Sequence, residues 1–202
     1  MTARAIDRSD TSLDRRDLLA HLFADPASWL MVAGLAGAAR DAAALTGDAD
    51  TLFTMGGAMG GAVPIGLGMA LAAPQVPVAV ITGDGELLMN LGALATVASA
   101  APANLAIVCI DNAQHGETGG QPGHTARRTD LAAIAEGAGL ASVMTVARPE
   151  QLADAARFLA EAPAPRFLCA RVRPGPPCDW QRDLDPASCR LRFRAAWRAR
   201  GG

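Results

Sequence analysis

The chain has 202 residues, half of them hydrophobic and only 4% aromatic, a size and composition that suit one α/β domain with a full core. Its net charge of −2 gives no electrostatic basis for binding nucleic acid. All 18 basic residues are arginine, which excludes lysine-dependent chemistry such as Schiff-base catalysis or phosphate binding by a P-loop lysine.

Apolar runs typical of strands alternate with helical patterns along the chain, separated by glycine and proline. The predicted strands are residues 29–33, 51–54, 76–82, 105–110, 143–146 and 167–172. The predicted helices are one that is capped by Ser12 or Asp14 and ends at Leu22, then 35–45 (ended by Gly47), a helix through about 72, 87–100, 131–138, 150–159, and one from about Pro186. Residues 111–128 are expected to form a long polar loop.

This alternation predicts a doubly wound α/β fold, with a mostly parallel sheet and helices on both faces. We interpret residues 1–202 as one domain, in which 173–202 form a proline-rich stretch and a C-terminal helix. Residues 51–83 and 87–110 carry no charge and are long enough to span a bilayer. Because prolines interrupt both segments, each is better interpreted as a helix, a turn and a buried strand in series.

The cysteines and the opening segment bear on where the protein works. No cysteine belongs to a CxxC pair, and Cys109 and Cys169 lie in apolar runs, so we expect reduced, structural thiols. Residues 1–10 are polar and lack the apolar core of a signal peptide. Both features predict a cytoplasmic protein.

Two loops at predicted strand ends carry the most unusual chemistry. Asp84 lies between two glycines at the end of one strand, where it can approach a ligand closely, and the next helix offers free N–H groups to an anion. The following strand ends in Asp111-Asn112. If these strands are neighbours, Asn112 lies beside Asp84. With a backbone carbonyl from Ala113 or Gln114, phosphate oxygens and water, these oxygens would complete an octahedral Mg²⁺ shell.

Gly83-Asp84-Gly85, followed after about 25 residues by Asp111-Asn112, resembles the motif of thiamine diphosphate (ThDP) enzymes, GDG and then NN or DN. Residues 56–72, GGAMGGAVPIGLGMALA, resemble the glycine-rich loop and helix of the same family. Residues 83–112 and the GETGGQ run at 116–121 are similar to one branch, the sulfopyruvate and phosphonopyruvate decarboxylases. These segments lie between residues 56 and 121, and the resemblance implies the C-terminal, diphosphate-binding domain with the ThDP-binding fold.

The resemblance implies a role for each matching residue. Asp84 and Asn112 would ligate Mg²⁺ through their side chains and Gln114 through its carbonyl. Met59 would be the bulky residue under the cofactor, and the carbonyl of Gly57 would accept its 4′-amino group. The cofactor-binding set is Gly57, Ala58, Met59, Gly83, Asp84, Gly85, Glu86, Asn112, Gln114, His115 and Gly116. Glu86 departs from the usual small residue after GDG, so only its backbone N–H is expected to bind diphosphate.

Other interpretations stay open for several residues. Asp84 alone could cap the following helix, and Met59 could pack in the core. His115 and Glu117 are candidate catalytic residues, whereas a zinc site of His115, Glu117 and His124 matches no known spacing. The alternative of solvated loop or structural turn applies to His115, His124, Glu117, Thr118, Arg127 and Arg128.

The resemblance implies decarboxylation of a small 2-oxo acid such as 3-sulfopyruvate or 3-phosphonopyruvate. ThDP enzymes also need a pyrimidine-binding domain that carries an activating Glu, and no segment of this sequence is left for it. We therefore expect a β-type subunit that works with an α-type subunit in an α₂β₂ or larger assembly. The alternatives are a subunit of a carboligase of acetolactate- or acyloin-synthase type and a non-catalytic cofactor-binding partner.

Overall fold

A computed structural model describes residues 6–201 of the chain. Residues 1–5, the first half of the segment considered for a signal peptide, and Gly202 lie outside the described residues. The strands are β1 (Leu30–Ala33), β2 (Leu52–Thr54), β3 (Val78–Gly83), β4 (Leu105–Asp111), β5 (Gln114–His115), β6 (Gln121–Pro122), β7 (Ser142–Val146) and β8 (Arg166–Arg171). Six of them form a parallel sheet in the order β2-β1-β3-β4-β8-β7, and β5 and β6 form a small antiparallel hairpin.

Helices cover both faces of the sheet, because alternate strand residues point to opposite sides and each side buries its own apolar cluster. One face is covered by α1 (Arg15–Leu22), α2 (Ala36–Thr46) and α7 (Leu152–Glu161). The other face is covered by α3 (Ala62–Ala72), α4 (Asp84–Leu88), α5 (Gly92–Ala100), α6 (Leu131–Gly137) and α8 (Pro186–Arg198). The predicted fold class is therefore confirmed.

The last helix joins the body of the protein at the β2 edge of the sheet. The ring centroid of Phe193 in α8 lies 5.6 Å from that of Phe53 in β2. The proline-rich stretch before α8 is also anchored, since the backbone N–H of Cys178 donates to Oδ1 of Asp41 at 2.8 Å. The assignment of the entire chain to one domain stays a prediction, but the described tail packs on the same core.

Local signals in the sequence located most elements to within two residues. Asp14 caps α1 by accepting the N–H of Arg16, and Gly47 ends α2 with a φ of 65°. The two uncharged segments contain β2, α3 and β3, and then α5 and β4, as predicted. No helix among residues 6–201 combines the length and apolar character needed to cross a membrane. All four cysteines are free, and all but Cys178 are buried.

Two expectations about local structure are wrong. Residues 87–100 do not form one helix, because α4 begins at Asp84 and a turn separates it from α5. In that turn, the side chain of Asn90 donates to the carbonyl of Gly60 at 2.9 Å. Residues 111–128 are also not a plain loop: β5 and β6 pair there, and the N–H of Gly120 donates to the carbonyl of His115 at 3.0 Å.

Candidate cofactor-binding site

A cleft of about 640 Å³ opens where β1, β3 and β4 end. β1 and β3 are neighbours, but the chain leaves them towards opposite faces, with α2 after β1 and α4 after β3. Such a divergence creates a crevice at the carboxyl ends of parallel strands. The cleft is lined by residues of segments 35–40, 83–86, 110–120 and 175–177, together with Arg15 and Met59.

Asp84 enters the cleft from the end of β3. Gly83 occupies the N-cap position of α4 and Asp84 is the first helical residue, so Asp84 does not act as the helix cap. Asp84 is only 4% exposed. Burial, and next the charge of Asp111, raise the pKa of the Asp84 carboxyl to about 6. The protein therefore holds this carboxylate where its charge is unfavourable without a cation.

Asn112 leaves the neighbouring strand at the same edge of the sheet. The predicted adjacency of β3 and β4 is confirmed, with Gly83 opposite Ile110 in the pairing register. Asn112 then begins a tight turn in which its Oδ1 accepts the N–H of Gln114 at 3.0 Å, and Ala113 has a φ of 58°. The amide oxygen keeps a second lone pair free. Asn112 and Gln114 both line the cleft with Asp84.

The buried hydroxyl of Thr125 lies between two carboxylates. It is 3.1 Å from Oδ2 of Asp84 and 2.7 Å from Oδ1 of Asp111. A hydroxyl has one proton, so it donates to one of them at a time. Asp111 also forms an ion pair with Arg8 at 2.8 Å. Asp84 has no ion-pair partner within residues 6–201.

This donor set is suited to a magnesium ion. A carboxylate, a side-chain amide oxygen and a nearby turn are hard oxygen donors, which Mg²⁺ prefers, and Mg²⁺ usually keeps further positions for phosphate and water. A cation at this place would supply the positive charge that Asp84 lacks. Within residues 6–201, no three His, Cys, Asp or Glu side chains are grouped in a way that could hold a metal ion.

The two candidate catalytic residues lie on the hairpin beside the Asp84 turn. His115 and Glu117 are exposed, and both line the cleft. A Cβ atom at Gly85 would lie 3.5 Å from Nδ1 of His115, so the imidazole lies directly over that turn. The rings of His115 and His124 meet edge to face, with centroids 6.4 Å apart. Gly116, between His115 and Glu117 in the sequence, also lines the cleft. Arg127 and Arg128 are exposed and lie outside the cleft.

The glycine-rich loop between β2 and α3 forms another wall. Gly56 and Gly60 bend it with φ values of 64° and 76°. Gly57 and Ala58 are exposed, and nothing lies within 4 Å of a Cβ built at Gly57. Met59 is 44% exposed and faces the cleft, so it is not a core residue. Met59 lines the cleft, whereas Gly57 and Ala58 do not, and the role of all three in binding a cofactor stays a prediction.

Four parts of the site were missed in the sequence. They are Thr125, Arg15, the segment at residues 35–40, and the tail at residues 175–177. Each joins the site through contacts between distant parts of the chain, which local patterns do not report. Thr125 is in the polar loop with Thr118, and Thr129 directly follows that loop; no local feature distinguishes Thr125 from these two residues.

The family profile described as "Thiamine pyrophosphate enzyme, C-terminal TPP binding domain" matches residues 35–169. The match contains the glycine-rich loop, the Asp84 turn and the Asn112 turn. The chain therefore belongs to the thiamine pyrophosphate enzyme family, and the matching part is its C-terminal TPP binding domain. This confirms the family resemblance seen in the sequence motifs.

Curated relatives with similar sequences are named as decarboxylases. A phosphonopyruvate decarboxylase from Streptomyces viridochromogenes is 40% identical over 73% of this chain and 37% of its own length. Sulfopyruvate decarboxylase subunit beta from Methanocaldococcus jannaschii is 47% identical over 48% of this chain and 52% of its own length. The same subunit from Methanococcus maripaludis is 35% identical, over 63% and 67%. The chain thus spans between about a third and two thirds of these relatives.

Solved structures share the fold at low sequence identity. The 2-oxoglutarate:ferredoxin oxidoreductase of Magnetococcus marinus superposes with a TM-score of 0.60 at 15% identity, over 89% of this chain and 73% of the other. A protein described as a thiamin diphosphate-dependent enzyme from Mycobacterium smegmatis gives a TM-score of 0.65 at 18% identity, over 86% and 34%. At these identities the likeness establishes the α/β fold alone.

Proposed function

We propose that this chain is the β-type subunit of a ThDP- and Mg²⁺-dependent 2-oxo acid decarboxylase. The observation that carries the proposal is Asp84, a buried carboxylate without a cation partner in the described chain, placed beside the Asn112 turn in an open cleft. The family membership supports ThDP as the cofactor. The names of the relatives support a decarboxylation whose substrate resembles 3-sulfopyruvate or 3-phosphonopyruvate.

Each side chain of the cleft has a part in this proposal. Asp84 and Asn112 bind Mg²⁺ through side-chain oxygens and Gln114 through its carbonyl, while the N–H groups of Gly85 and Glu86 bind diphosphate. Bound ThDP supplies carbanion stabilisation when CO₂ leaves the substrate. His115 and Glu117 face the open side of the cleft, where they can orient the substrate and transfer a proton.

A second chain completes the proposed enzyme. Three relatives carry the name subunit beta, which implies a partner subunit in those proteins. In our proposal, an α-type subunit with the pyrimidine-binding domain supplies the activating Glu across the mouth of the cleft. The complete assembly would be α₂β₂ or larger.

The test is reconstitution of the reaction from separate subunits. The chain is co-expressed with a pyrimidine-domain subunit, and CO₂ release from 3-sulfopyruvate, 3-phosphonopyruvate and pyruvate is measured with ThDP and Mg²⁺. We expect turnover of an anionic acid by the pair and none by either subunit alone. Full activity of this chain alone would contradict the two-subunit proposal. Turnover of pyruvate without turnover of either anionic acid would contradict the substrate class, and acyloin as the main product would indicate a carboligase.

A further inference from the structure

Glu86 is a buried acidic residue that the proposed function uses only through its backbone. It follows directly after the Gly83-Asp84-Gly85 turn and is 5% exposed. Within residues 6–201 its carboxylate has no ion-pair partner. A charge buried without a counter-ion must be stabilised by hydrogen bonds or dipoles.

Hydrogen bonds from two other segments hold this carboxylate. Its Oε1 accepts the N–H groups of Gly60 at 3.1 Å and Ala62 at 3.4 Å, and its Oε2 accepts the hydroxyl proton of Thr82. Ala62 is the first residue of α3, and the N-cap residue Gly61 has no side chain to cap that helix. Glu86 therefore caps α3 from a different element and places negative charge at the positive end of an 11-residue helix.

The end of β1 is shaped around the same side chain. A Cβ atom built at Gly34 would lie 2.6 Å from Cδ of Glu86, and closer still to its Oε2. Only glycine leaves room for the carboxylate at that position. One side chain thus contacts the segment after β1, the end of β3 and the start of α3.

These contacts join two walls of the cleft. The backbone of Glu86 belongs to the turn that presents Asp84, and its side chain fixes the loop that presents Met59. We infer that Glu86 is a positioning residue, which sets the glycine-rich loop relative to the Asp84 turn and so matches the cleft to the two ends of one cofactor. The role of Glu86 in cofactor binding rests on the proposed function. The attachment of the glycine-rich loop to the Glu86 carboxylate, which we call the lock, does not depend on it.

A double-mutant cycle tests the lock without any ligand. Gly34→Ala should lower the melting temperature by roughly 5 °C, because its methyl group collides with the Glu86 carboxylate. In a Glu86→Ala background the same substitution should cost almost nothing, since the carboxylate is gone. Equal effects of Gly34→Ala in both backgrounds would overturn the placement of Glu86.

Hydrogen–deuterium exchange and ligand affinity then test the positioning role. Glu86→Ala should speed amide exchange at residues 57–62 about tenfold or more, because two backbone donors lose a charged acceptor. Glu86→Gln keeps an oxygen acceptor and should show an intermediate rate. The exposed Glu136 on α6 gives the matched control, and Glu136→Ala should leave the exchange of this loop unchanged.

Two probes separate the diphosphate end of the cleft from the end at Met59. In the presence of Mg²⁺, Glu86→Ala should weaken binding of ThDP about tenfold but that of inorganic pyrophosphate less than about twofold, since only ThDP reaches the loop. Equal weakening of the binding of both ligands, with unchanged amide exchange in the loop, would contradict the proposal that Glu86 positions the glycine-rich loop. If the wild-type chain binds neither probe, the proposed function fails. The double-mutant cycle and the exchange rates still show whether the Glu86 carboxylate holds the glycine-rich loop in place.

Discussion

At the scale of single residues, Asp84 is a buried carboxyl group whose pKa is strongly perturbed. The pKa of its carboxyl is raised from 3.8 to about 6, first by burial and then by Asp111. Ionised Asp84 therefore destabilises the ligand-free fold, and a difference of about two pKa units corresponds to about 3 kcal/mol. A divalent cation that binds the ionised form would reverse this cost, which links metal binding to stability.

The pH dependence of stability follows from the sign of this shift. Well below pH 3.8, Asp84 is protonated in both the folded and the unfolded state. As the pH rises from 3.8 to about 6, the unfolded state releases the proton before the folded state does, so the ligand-free fold loses up to about 3 kcal/mol, and this loss is complete by pH 7. Urea unfolding from pH 4 to pH 7 should show this loss in the wild type relative to Asp84→Asn. Parallel pH profiles for the two proteins would contradict it.

Thr125 acts on the same carboxylate through its hydroxyl. Thr125→Val keeps the shape of the side chain but removes the donor shared by Asp84 and Asp111. Loss of a hydrogen bond to a metal-binding group typically lowers metal affinity 10- to 100-fold. We expect the Mg²⁺ concentration that half-saturates ThDP binding to rise about tenfold in Thr125→Val, and Thr125→Ser to remain close to the wild type. Equal affinities in the Val and Ser variants would show that the hydroxyl is not needed.

At the scale of secondary-structure elements, helix α2 anchors the tail that lines one side of the cleft. Asp41 in α2 accepts the N–H of Cys178 at 2.8 Å and pairs with the guanidinium of Arg15 at 2.7 Å. Both partners of that ion pair are almost fully buried. The residues just before Cys178 line the cleft, so Asp41 connects the core of the protein with a wall of the site.

Removal of this carboxylate should loosen the tail. Asp41→Ala leaves Arg15 buried without a counter-ion, which typically costs about 3–5 kcal/mol. Burial and then the charge of Asp41 raise the pKa of the Cys178 thiol to about 11, so the variant should also make this thiol more reactive. We expect about tenfold faster maleimide labelling of Cys178 at pH 8, with the three buried cysteines unlabelled. The exposed Asp154, replaced by Ala, is the control and should change neither property.

The elements that carry the site were predictable where the signal is local. Strand β3 is an apolar run that ends in glycines around Asp84, and β4 ends in Asp111-Asn112, so both turns could be located from the sequence. The break before α5 could not be located from the sequence. The contact found in that turn joins Asn90 to Gly60, 30 residues away, and such a contact leaves no local pattern.

The same distinction separates predicted from unpredicted site residues. The metal ligands lie inside motifs, and the structure brings their strands together, although their role as ligands stays a prediction. Thr125 lies 41 residues from Asp84, and the side chain of Glu86 reaches a loop 26 residues away. Neither contact has a spacing that a sequence pattern reports. The motifs therefore located the two turns at the strand ends, and the tertiary structure adds the contacts that hold those turns in place.

At the scale of the whole molecule, the fold and the family match identify the chain as the C-terminal TPP binding domain of a thiamine pyrophosphate enzyme. The family match covers residues 35–169, while the first relatives are matched over only 37%, 31% and 52% of their own lengths. Activity, substrate and partner are therefore proposals for this chain. The central proposal concerns the metal site alone: Asp84 and Asn112 hold a Mg²⁺ ion that anchors ThDP.

Calorimetric titration of ThDP into the chain, with Mg²⁺ and with EDTA, tests that claim most directly. We predict binding with Mg²⁺ that weakens at least about tenfold in EDTA, and a similar loss with Mg²⁺ present in Asn112→Leu, which keeps the size of the side chain but removes the ligand oxygen. Asp154→Ala, on the remote helix α7, should bind like the wild type. ThDP binding that is equally strong in EDTA, or unchanged in Asn112→Leu, would contradict the account.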